Sequence, residues 1–203
     1  MKMRTTIGLF WIVMIFSACQ MEQEQLPILG EKLIEGTDTI FHTIPDFTFT
    51  NQEGQEVTPA TFENKIYVVD FFFVSCPTIC PVVKAQMLRV LEAYKDEDQL
   101  VFLSHTIDPK RDTVERLKKY ADNLGVGVPK WHFVTGEKEK LHGIVSSYFS
   151  IAYEDESAPG GFDHSGRLIL IDQKKHIRSY CDGTDPESVN QFIKDIAILL
   201  EKG

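Results

Sequence analysis

Residues 66–91 constrain this chain most, because they join a buried strand to a helix through a turn that carries two cysteines. Residues 66–74 form an apolar run rich in β-branched and aromatic side chains, which is typical of a buried strand. Apolar residues then recur at the spacing of a helix with one buried face, at Val83, Met87, Val90, Leu91 and Tyr94. A helix start favours thiolate over thiol, through its unpaired N–H groups and the positive end of its dipole. Thiolates attack disulfides and also bind soft metals, so this turn has two possible uses.

The length and composition of the chain allow one globular domain behind a leader. With 203 residues the chain can bury a substantial core, and its 43% apolar and 25% charged residues are ordinary for a folded protein. The formal net charge of −9 argues against nucleic acid as a partner, because phosphate binding requires clustered Lys and Arg.

Residues 1–18 have the pattern of an export signal. Lys2 and Arg4 give a positive start, and the apolar run at 7–16 is too short for a typical transmembrane helix. The run ends in Phe-Ser-Ala-Cys19, which resembles a bacterial lipoprotein cleavage box with Phe16 in place of the usual Leu. Cleavage there would leave Cys19 as a lipidated N-terminus and place the domain on the extracytoplasmic side of a membrane. An ordinary signal peptide or an uncleaved anchor stays open as the alternative.

The charge of the mature chain also bears on how it would be held at a membrane. Cleavage removes the positive charges of Lys2 and Arg4, so the formal net charge falls by two, from −9 to −11. Attraction to anionic lipid is therefore not expected to hold the protein on the surface, and the lipid itself would.

The cysteines divide into one working pair and two others. The chain has four, and if Cys19 carries lipid an odd number remains, which is a poor disulfide framework for an oxidising compartment. Cys76 and Cys80 are interpreted as a working pair. Cys181 is left over, either as a buried small apolar residue or as a third thiol near the pair.

The rest of the pattern predicts an α/β domain. A hairpin is predicted from residues 47–50 and 55–58, and later strands at 100–107, 131–134, 167–172 and 176–180. Further helices are predicted to begin at Asp112 or Thr113, at Thr135, and at Thr184, which has capping-box spacing to Glu187.

This order of elements predicts one domain with a known architecture. The polar segment 19–43 is interpreted as a tether, and residues 44–203 as the folded domain. The order resembles a thioredoxin-like fold with an N-terminal β-hairpin extension and an inserted helix. A fold of this kind does not by itself give a function.

The spacing of the cysteines favours a metal site over a simple redox site. Three residues separate Cys76 from Cys80, whereas a redox thioredoxin has two between its thiols. Such redox sites also place a proline directly before the strand that faces the thiols, but here residues 161–166 contain no proline and carry His164. Two thiolates hold Cu(I), and an added imidazole lets a site hold Cu(II) as well. Zinc could use the same ligands and is not excluded.

Three segments of the chain together match the pattern of a known family. They are residues 67–81 (YVVDFFFVSCPTICP), residues 104–112 (SHTIDPKRD) and residues 163–165 (DHS) before a strand. From about residue 44 to the end, the chain resembles the Sco/SenC family of copper chaperones. The resemblance implies a membrane-tethered, thioredoxin-like protein that binds copper as Cu(I) or Cu(II). It also implies a partner, the copper-site subunit of cytochrome c oxidase, whose dinuclear copper site the family helps to assemble.

The resemblance also implies roles for single residues. Cys76, Cys80 and His164 match the copper ligands of the family. Asp108 and Asp112 match its acidic loop motif, and we expect them to support the ligands or to contact a partner.

Two further residues lie beside this pattern. Asp163 could accept the free N–H of His164 and so fix its tautomer. Cys181 departs from the family, which more often has a bulky apolar or aromatic residue there. No ligand role is expected for the remaining histidines of the domain, His105, His132, His142 and His176.

Two functions of different classes follow from these residues. The leading hypothesis is a metallochaperone that takes copper on Cys76, Cys80 and His164. The alternative is an enzyme, a thiol–disulfide oxidoreductase that uses Cys76 and Cys80 to reduce the copper-ligand cysteines of the oxidase. A thiol peroxidase is a weaker third hypothesis, because the sequence around Cys76 shows no activating Arg.

Overall fold

The computed structural model describes residues 25–201. The predicted signal peptide 1–18 and the predicted lipidation site Cys19 lie outside this range. Within it, no helix is both long enough and apolar enough to cross a membrane.

The described chain contains eleven strands, four α-helices and two short 3₁₀ helices at Pro59–Phe62 and Ser146–Tyr148. In chain order the strands are β1 (Lys32–Glu35), β2 (Asp38–Phe41), β3 (Phe49–Asn51), β4 (Glu56–Val57), β5 (Ile66–Phe72), β6 (Leu100–Thr106), β7 (Trp131–Thr135), β8 (Ala152–Glu154), β9 (Phe162–His164), β10 (Arg167–Ile171) and β11 (Ile177–Asp182). The helices are α1 (Cys80–Ala93), α2 (Val114–Leu124), α3 (Lys138–Val145) and α4 (Pro186–Leu200).

A seven-stranded mixed sheet forms the centre of the fold, in the order β11-β10-β5-β6-β7-β3-β4. Strands β5, β6 and β7 are parallel, β10 and β3 flank them as antiparallel neighbours, and β11 and β4 pair antiparallel with β10 and β3 at the two edges. The parallel strands β5 and β6 are buried along their whole length, as expected for strands with helices over the sheet. The predicted thioredoxin-like class is confirmed, with the predicted β3–β4 hairpin added at one edge.

Alternate side chains of β5 face opposite layers of helices, as the pleat requires. Phe72 packs against Tyr120 of α2 and lies under the Lys84 ammonium of α1, so these two helices cover one face. Phe71 contacts Tyr148, which follows α3, on the other face. Phe71, Phe72 and Phe73 are all buried, which makes the phenylalanine run part of the core.

Three boundaries differ from the sequence-based expectation. Thr135 ends β7, and Glu137 precedes α3 as its N-cap residue. Asp185, rather than Thr184, caps α4, because its side chain accepts the backbone N–H of Glu187. Cys181 was expected after the last strand, but it lies inside β11, since this strand continues to Asp182.

The segment interpreted as a tether contains structure of its own. Strands β1 and β2 pair as an antiparallel hairpin between residues 32 and 41. On either side of it the chain bonds to the domain, through Leu29 N–H to the Ile177 carbonyl (2.8 Å) and Ile44 N–H to the Lys175 carbonyl (2.9 Å). Residues 25–43 are therefore attached to the edge of the main sheet.

Candidate metal centre

The two cysteines lie between β5 and α1 because the local sequence ends one element and starts the other. The Cys76 N–H bonds the Phe73 carbonyl (3.1 Å), which turns the chain out of β5. Cys80 is the first residue of α1, and Pro81 follows it in the first turn, where a missing N–H costs nothing. Cys80 lies on the same face of α1 as Val83 and Met87, which point into the core, so its side chain is buried as well. Both thiols are buried, with 7% of Cys76 and 4% of Cys80 exposed.

His164 reaches the thiols from β9, a short strand that pairs with β8. Side chains alternate along β9, so Phe162 and His164 point inward and the residue between them points to solvent. The ring of Phe73 packs against the rings of Phe162 and His164, with centroid distances of 5.2 and 5.6 Å. This aromatic packing holds the imidazole over the turn that carries the cysteines.

The three candidate ligands converge. His164 Nε2 lies 3.4 Å from Cys80 Sγ and 3.6 Å from Cys76 Sγ, and the three donor atoms lie within 4.8 Å of one another. Donors held by one ion at zinc-like bond lengths are roughly 3.6–3.8 Å apart, so the spacing fits a single ion. The other ring nitrogen, Nδ1, faces the Ser165 carbonyl at 3.3 Å, which leaves Nε2 for the site. Two soft sulfurs with one imidazole suit copper.

The two thiols differ strongly in acidity. Burial would raise the pKa of Cys76, but hydrogen bonds from His164 and from the backbone N–H groups of Thr78 and Cys80 outweigh it and lower this pKa to about 6. Burial raises the pKa of Cys80 far above its ordinary value, although the Phe73 backbone opposes this. Cys76 is therefore the thiolate at neutral pH, and Cys80 is the protonated partner until a metal or an oxidant takes its proton.

This difference predicts a pH-dependent, single-site alkylation of the reduced protein. Cys76 should react with iodoacetamide at a rate that is high at pH 7 and falls as the pH drops through about 6, where the thiolate gains a proton. Cys80 and Cys181 should stay largely unmodified, since burial raises the pKa of each. Peptide mapping by mass spectrometry over pH 4–9 measures both. Faster modification of Cys80 than of Cys76 would contradict the assignment.

The model of one family, SCO1/SenC, matches residues 36–201. The chain belongs to the SCO1/SenC family.

Individual relatives agree with this assignment. A curated SCO1 protein homolog of Bacillus subtilis is 26% identical over 162 residues, covering 78% of this chain and 83% of the relative. A solved SCO1/SenC family lipoprotein of Bacillus anthracis superposes with a TM-score of 0.71 at 27% identity, covering 78% of this chain and 95% of that one. Copper-bound ScoI of Bradyrhizobium japonicum superposes with a TM-score of 0.63 at 25% identity, covering 75% of this chain and 98% of that one. The predicted family is confirmed.

In this SCO1/SenC protein, Asp112 supports the cysteine turn by hydrogen bonds to the start of the turn and to β6. Its carboxylate accepts the backbone N–H of Val74 (3.0 Å) and the hydroxyl of Thr106 (2.6 Å), and Arg116 lies 3.5 Å from its other oxygen. It thus ties the start of the turn to the end of β6. Burial raises the pKa of Asp112, while these hydrogen bonds oppose the rise.

Asp108 supports the loop before β9 indirectly, by binding an arginine that bonds to this loop. Its carboxylate accepts the Nε–H of Arg111, and Arg111 also donates to the Gly160 carbonyl (2.9 Å). Gly160 lies close against the ring of Phe73, where an added Cβ would be 2.7 Å from the ring. Asp108 and Arg111 therefore hold the loop that leads into β9.

The structure does not place Asp163 as expected. Asp163 lies on the exposed face of β9, opposite to His164, and accepts the hydroxyl of Tyr153 (2.8 Å). The Ser165 carbonyl faces His164 Nδ1 instead. Neighbours in a strand point to opposite faces, so the pair could not have met.

Cys181 lies apart from the donor group. It pairs with Leu168 in the sheet and is buried, and burial raises its pKa to about 12. Within residues 25–201, the group that could hold a metal consists of Cys76, Cys80 and His164. The placement favours the reading of Cys181 as a buried small side chain.

Two features near the site were missed from the sequence. Lys84, one helical turn after Cys80, is buried and donates to Asp70 (2.7 Å) and Ser104 (2.8 Å). The i, i+4 spacing from a buried cysteine was the available signal. Arg116 donates to the Ser75 hydroxyl (2.6 Å), so an arginine does reach the residue next to Cys76 from α2.

The remaining histidines of the domain have other surroundings. His105 is enclosed by aromatic rings, and burial lowers its pKa to about 3. His132 lies beside Asn51, His142 beside the Ile107 carbonyl and His176 beside Asp172.

Proposed function

We propose that this protein is a copper metallochaperone that delivers copper to the dinuclear copper site of cytochrome c oxidase. The observation that carries the proposal is the convergence of Cys76, Cys80 and His164 on one point. Two sulfurs suit Cu(I), and the imidazole extends the range to Cu(II). Three protein donors leave the ion open to a further ligand from an acceptor protein, which permits transfer.

Membership of the SCO1/SenC family supports copper as the metal and oxidase assembly as the process. The copper-bound state of the Bradyrhizobium relative supports the same metal. Zinc shares these ligand types, so the choice of copper depends on the relatives as well as on the donors.

Copper titration with transfer tests the delivery role. The reduced protein should bind one equivalent of Cu(I) or Cu(II) and pass it to the reduced copper-site domain of the oxidase subunit, as followed by the absorption of the acceptor. A Cys181→Ser variant is the matched control and should bind and transfer as the parent does, because Cys181 lies outside the donor group. If the acceptor gains no copper while this protein stays loaded, delivery is excluded.

We propose in addition that the domain is anchored outside the cytoplasm by lipid on Cys19. The sequence Phe-Ser-Ala-Cys19 after a short apolar run supports this. The Bacillus anthracis relative is itself described as a lipoprotein. A Cys19→Ala variant should be lost from the membrane fraction, or remain there with its N-terminal segment uncleaved.

A specific observation also favours the oxidoreductase alternative. The pKa of Cys76 is lowered to about 6, whereas that of Cys80 is raised, which is the asymmetry of an attacking and a resolving thiol. The Cys76 thiolate would attack a disulfide of the acceptor, breaking its S–S bond, releasing one acceptor thiolate and forming a mixed disulfide. The released thiolate would take the Cys80 proton, and the Cys80 sulfur would then displace the second acceptor thiolate, so that the acceptor gains two electrons and Cys76–Cys80 becomes the disulfide. Turnover of an oxidised acceptor without copper would separate this activity from delivery.

A further inference from the structure

The β1–β2 hairpin exposes large apolar side chains. Leu33, Ile34 and Ile40 are 61%, 79% and 47% exposed, and every residue from 31 to 40 is exposed. Leu33 and Ile40 are directly paired, so they share one face, and Ile34 lies on the other. Within residues 25–201, neither face is buried along residues 31–40, although Phe41 at the end of β2 contacts the His176 ring. A bare two-stranded hairpin is only marginally stable in water, so a covering surface would stabilise it.

The attachment of the hairpin limits where that surface can be. Residues on both sides of it bond to Ile177 and Lys175. Ile177 pairs with Ile171, and Ile171 with Tyr67 at the start of β5, so these contacts lie at the end of the sheet opposite to the cysteine turn. The hairpin therefore starts from the edge strand β11, while His42 on its C-terminal side also contacts Phe149 in the segment before β8.

The length of chain between Cys19 and this attachment is short. Arg178 donates to the carbonyl of Pro27 (3.1 Å), which holds the chain on the domain from there onward. Pro27 is eight positions after Cys19, and eight residues span at most about 29 Å. With lipid on Cys19, this edge of the domain stays within that distance of the bilayer, and strands of four residues extend about 13 Å.

We propose that the β1–β2 hairpin lies in the interfacial layer of the bilayer, with Leu33, Ile34 and Ile40 among the lipids. The inference rests on the proposed lipid anchor at Cys19 and is independent of copper. The hairpin carries Glu31, Glu35 and Asp38 against Lys32, so its attraction is to apolar lipid rather than to anionic headgroups. The docked hairpin would fix the domain to the membrane at a second point beside the lipid on Cys19.

Tryptophan quenching in vesicles tests the location. The chain has two tryptophans, of which Trp131 is fully buried and Trp11 lies in the predicted signal peptide and is replaced by Phe in every variant. The full-length lipoprotein with Ile34→Trp is reconstituted into phosphatidylcholine vesicles that contain acyl-brominated lipid. It should lose at least about half of the emission of the new tryptophan, because interfacial side chains sit about 5–10 Å into the headgroup–acyl boundary. The matched control, Tyr153→Trp, carries an exposed side chain beside the metal centre and should be unquenched.

Each other outcome overturns the inference. Equal quenching of the two variants would mean that the hairpin is not specifically embedded. A blue-shifted, unquenched Ile34→Trp protein that sediments as a dimer would mean that a second copy covers the hairpin. Mass spectrometry of the N-terminal peptide separates the two proposals: lipid on Cys19 without quenching removes the hairpin inference alone, whereas release of an unlipidated protein removes the anchor as well. Copper titration of Ile34→Trp should match the parent in every case.

Discussion

Replacing His164 with alanine is expected to lower the affinity of the reduced protein for Cu(II) by at least about a hundredfold, because loss of a residue that merely orients a ligand already costs 10–100-fold. His164 supplies the nitrogen donor, 3.4 and 3.6 Å from the two sulfurs. Cu(I) should be retained better, because two thiolates satisfy a soft monovalent ion. Competition titrations with chelators of known affinity for each oxidation state measure both.

The same substitution carries a second, metal-free readout. His164 is the largest of the hydrogen-bonding contributions that lower the pKa of Cys76, so this pKa should rise in His164→Ala from about 6 toward its ordinary value. At pH 7 the alkylation rate of Cys76 should therefore fall. His142→Ala is the matched control, since His142 faces the Ile107 carbonyl and lies outside the donor group. An unchanged Cu(II) affinity in His164→Ala would remove the histidine from the site.

The candidate ligands could be predicted from the sequence for two reasons. Two of them lie in one short turn, and the third lies in a segment where a redox site would carry a proline. Cys76 and Cys80 are fixed by the strand, the turn and the helix around them, all of which have strong patterns. His164 could be chosen because it replaces the proline that a redox site would have. What failed was orientation within a strand: Asp163 is adjacent to His164 in sequence but faces solvent, and nothing local shows that residues 162–164 are extended.

The other misses depend on long-range packing. The hairpin at 32–41 has weak local signals and is attached through backbone bonds to Lys175 and Ile177, at and just before the start of β11, more than 130 residues later. The extension of β11 to include Cys181 follows from its pairing with β10. Boundaries of this kind are decided by a partner strand rather than by local preference.

Lys84 could not be assigned from sequence, and its surroundings predict the largest change in stability. Its ammonium and the Asp70 carboxylate are 2.7 Å apart, and each side chain is 2% exposed. The Ser104 hydroxyl donates to Asp70 (2.5 Å) and accepts from Trp131 Nε1 (2.9 Å), and the Phe72 ring lies 4.2 Å from the ammonium. Burial lowers the pKa of Lys84, and the charge of Asp70 opposes this. The pair is thus a charged unit in the core directly under α1.

Lys84→Met should destabilise the protein by about 3–5 kcal/mol, because it leaves Asp70 as an uncompensated buried charge. For a domain of this size that corresponds to a fall in Tm of roughly 6–20 °C, measurable by calorimetry, and urea unfolding measures the free energy itself. Lys95→Met, which removes a solvent-exposed pair with Glu92, is the control and should change Tm little.

The double variant Asp70→Leu/Lys84→Met decides whether charge or shape is responsible. Replacing both partners by apolar side chains removes the uncompensated charge, so most of the lost stability should return. If instead the double variant is as unstable as Lys84→Met, the loss comes from packing around Phe72 or from the Ser104 hydroxyl left without its acceptor, rather than from the orphaned carboxylate. Lys84 lies one turn after Cys80 on the same buried face of α1. If the double variant recovers its stability, copper affinity can therefore also be measured on a folded protein that lacks the Lys84 charge.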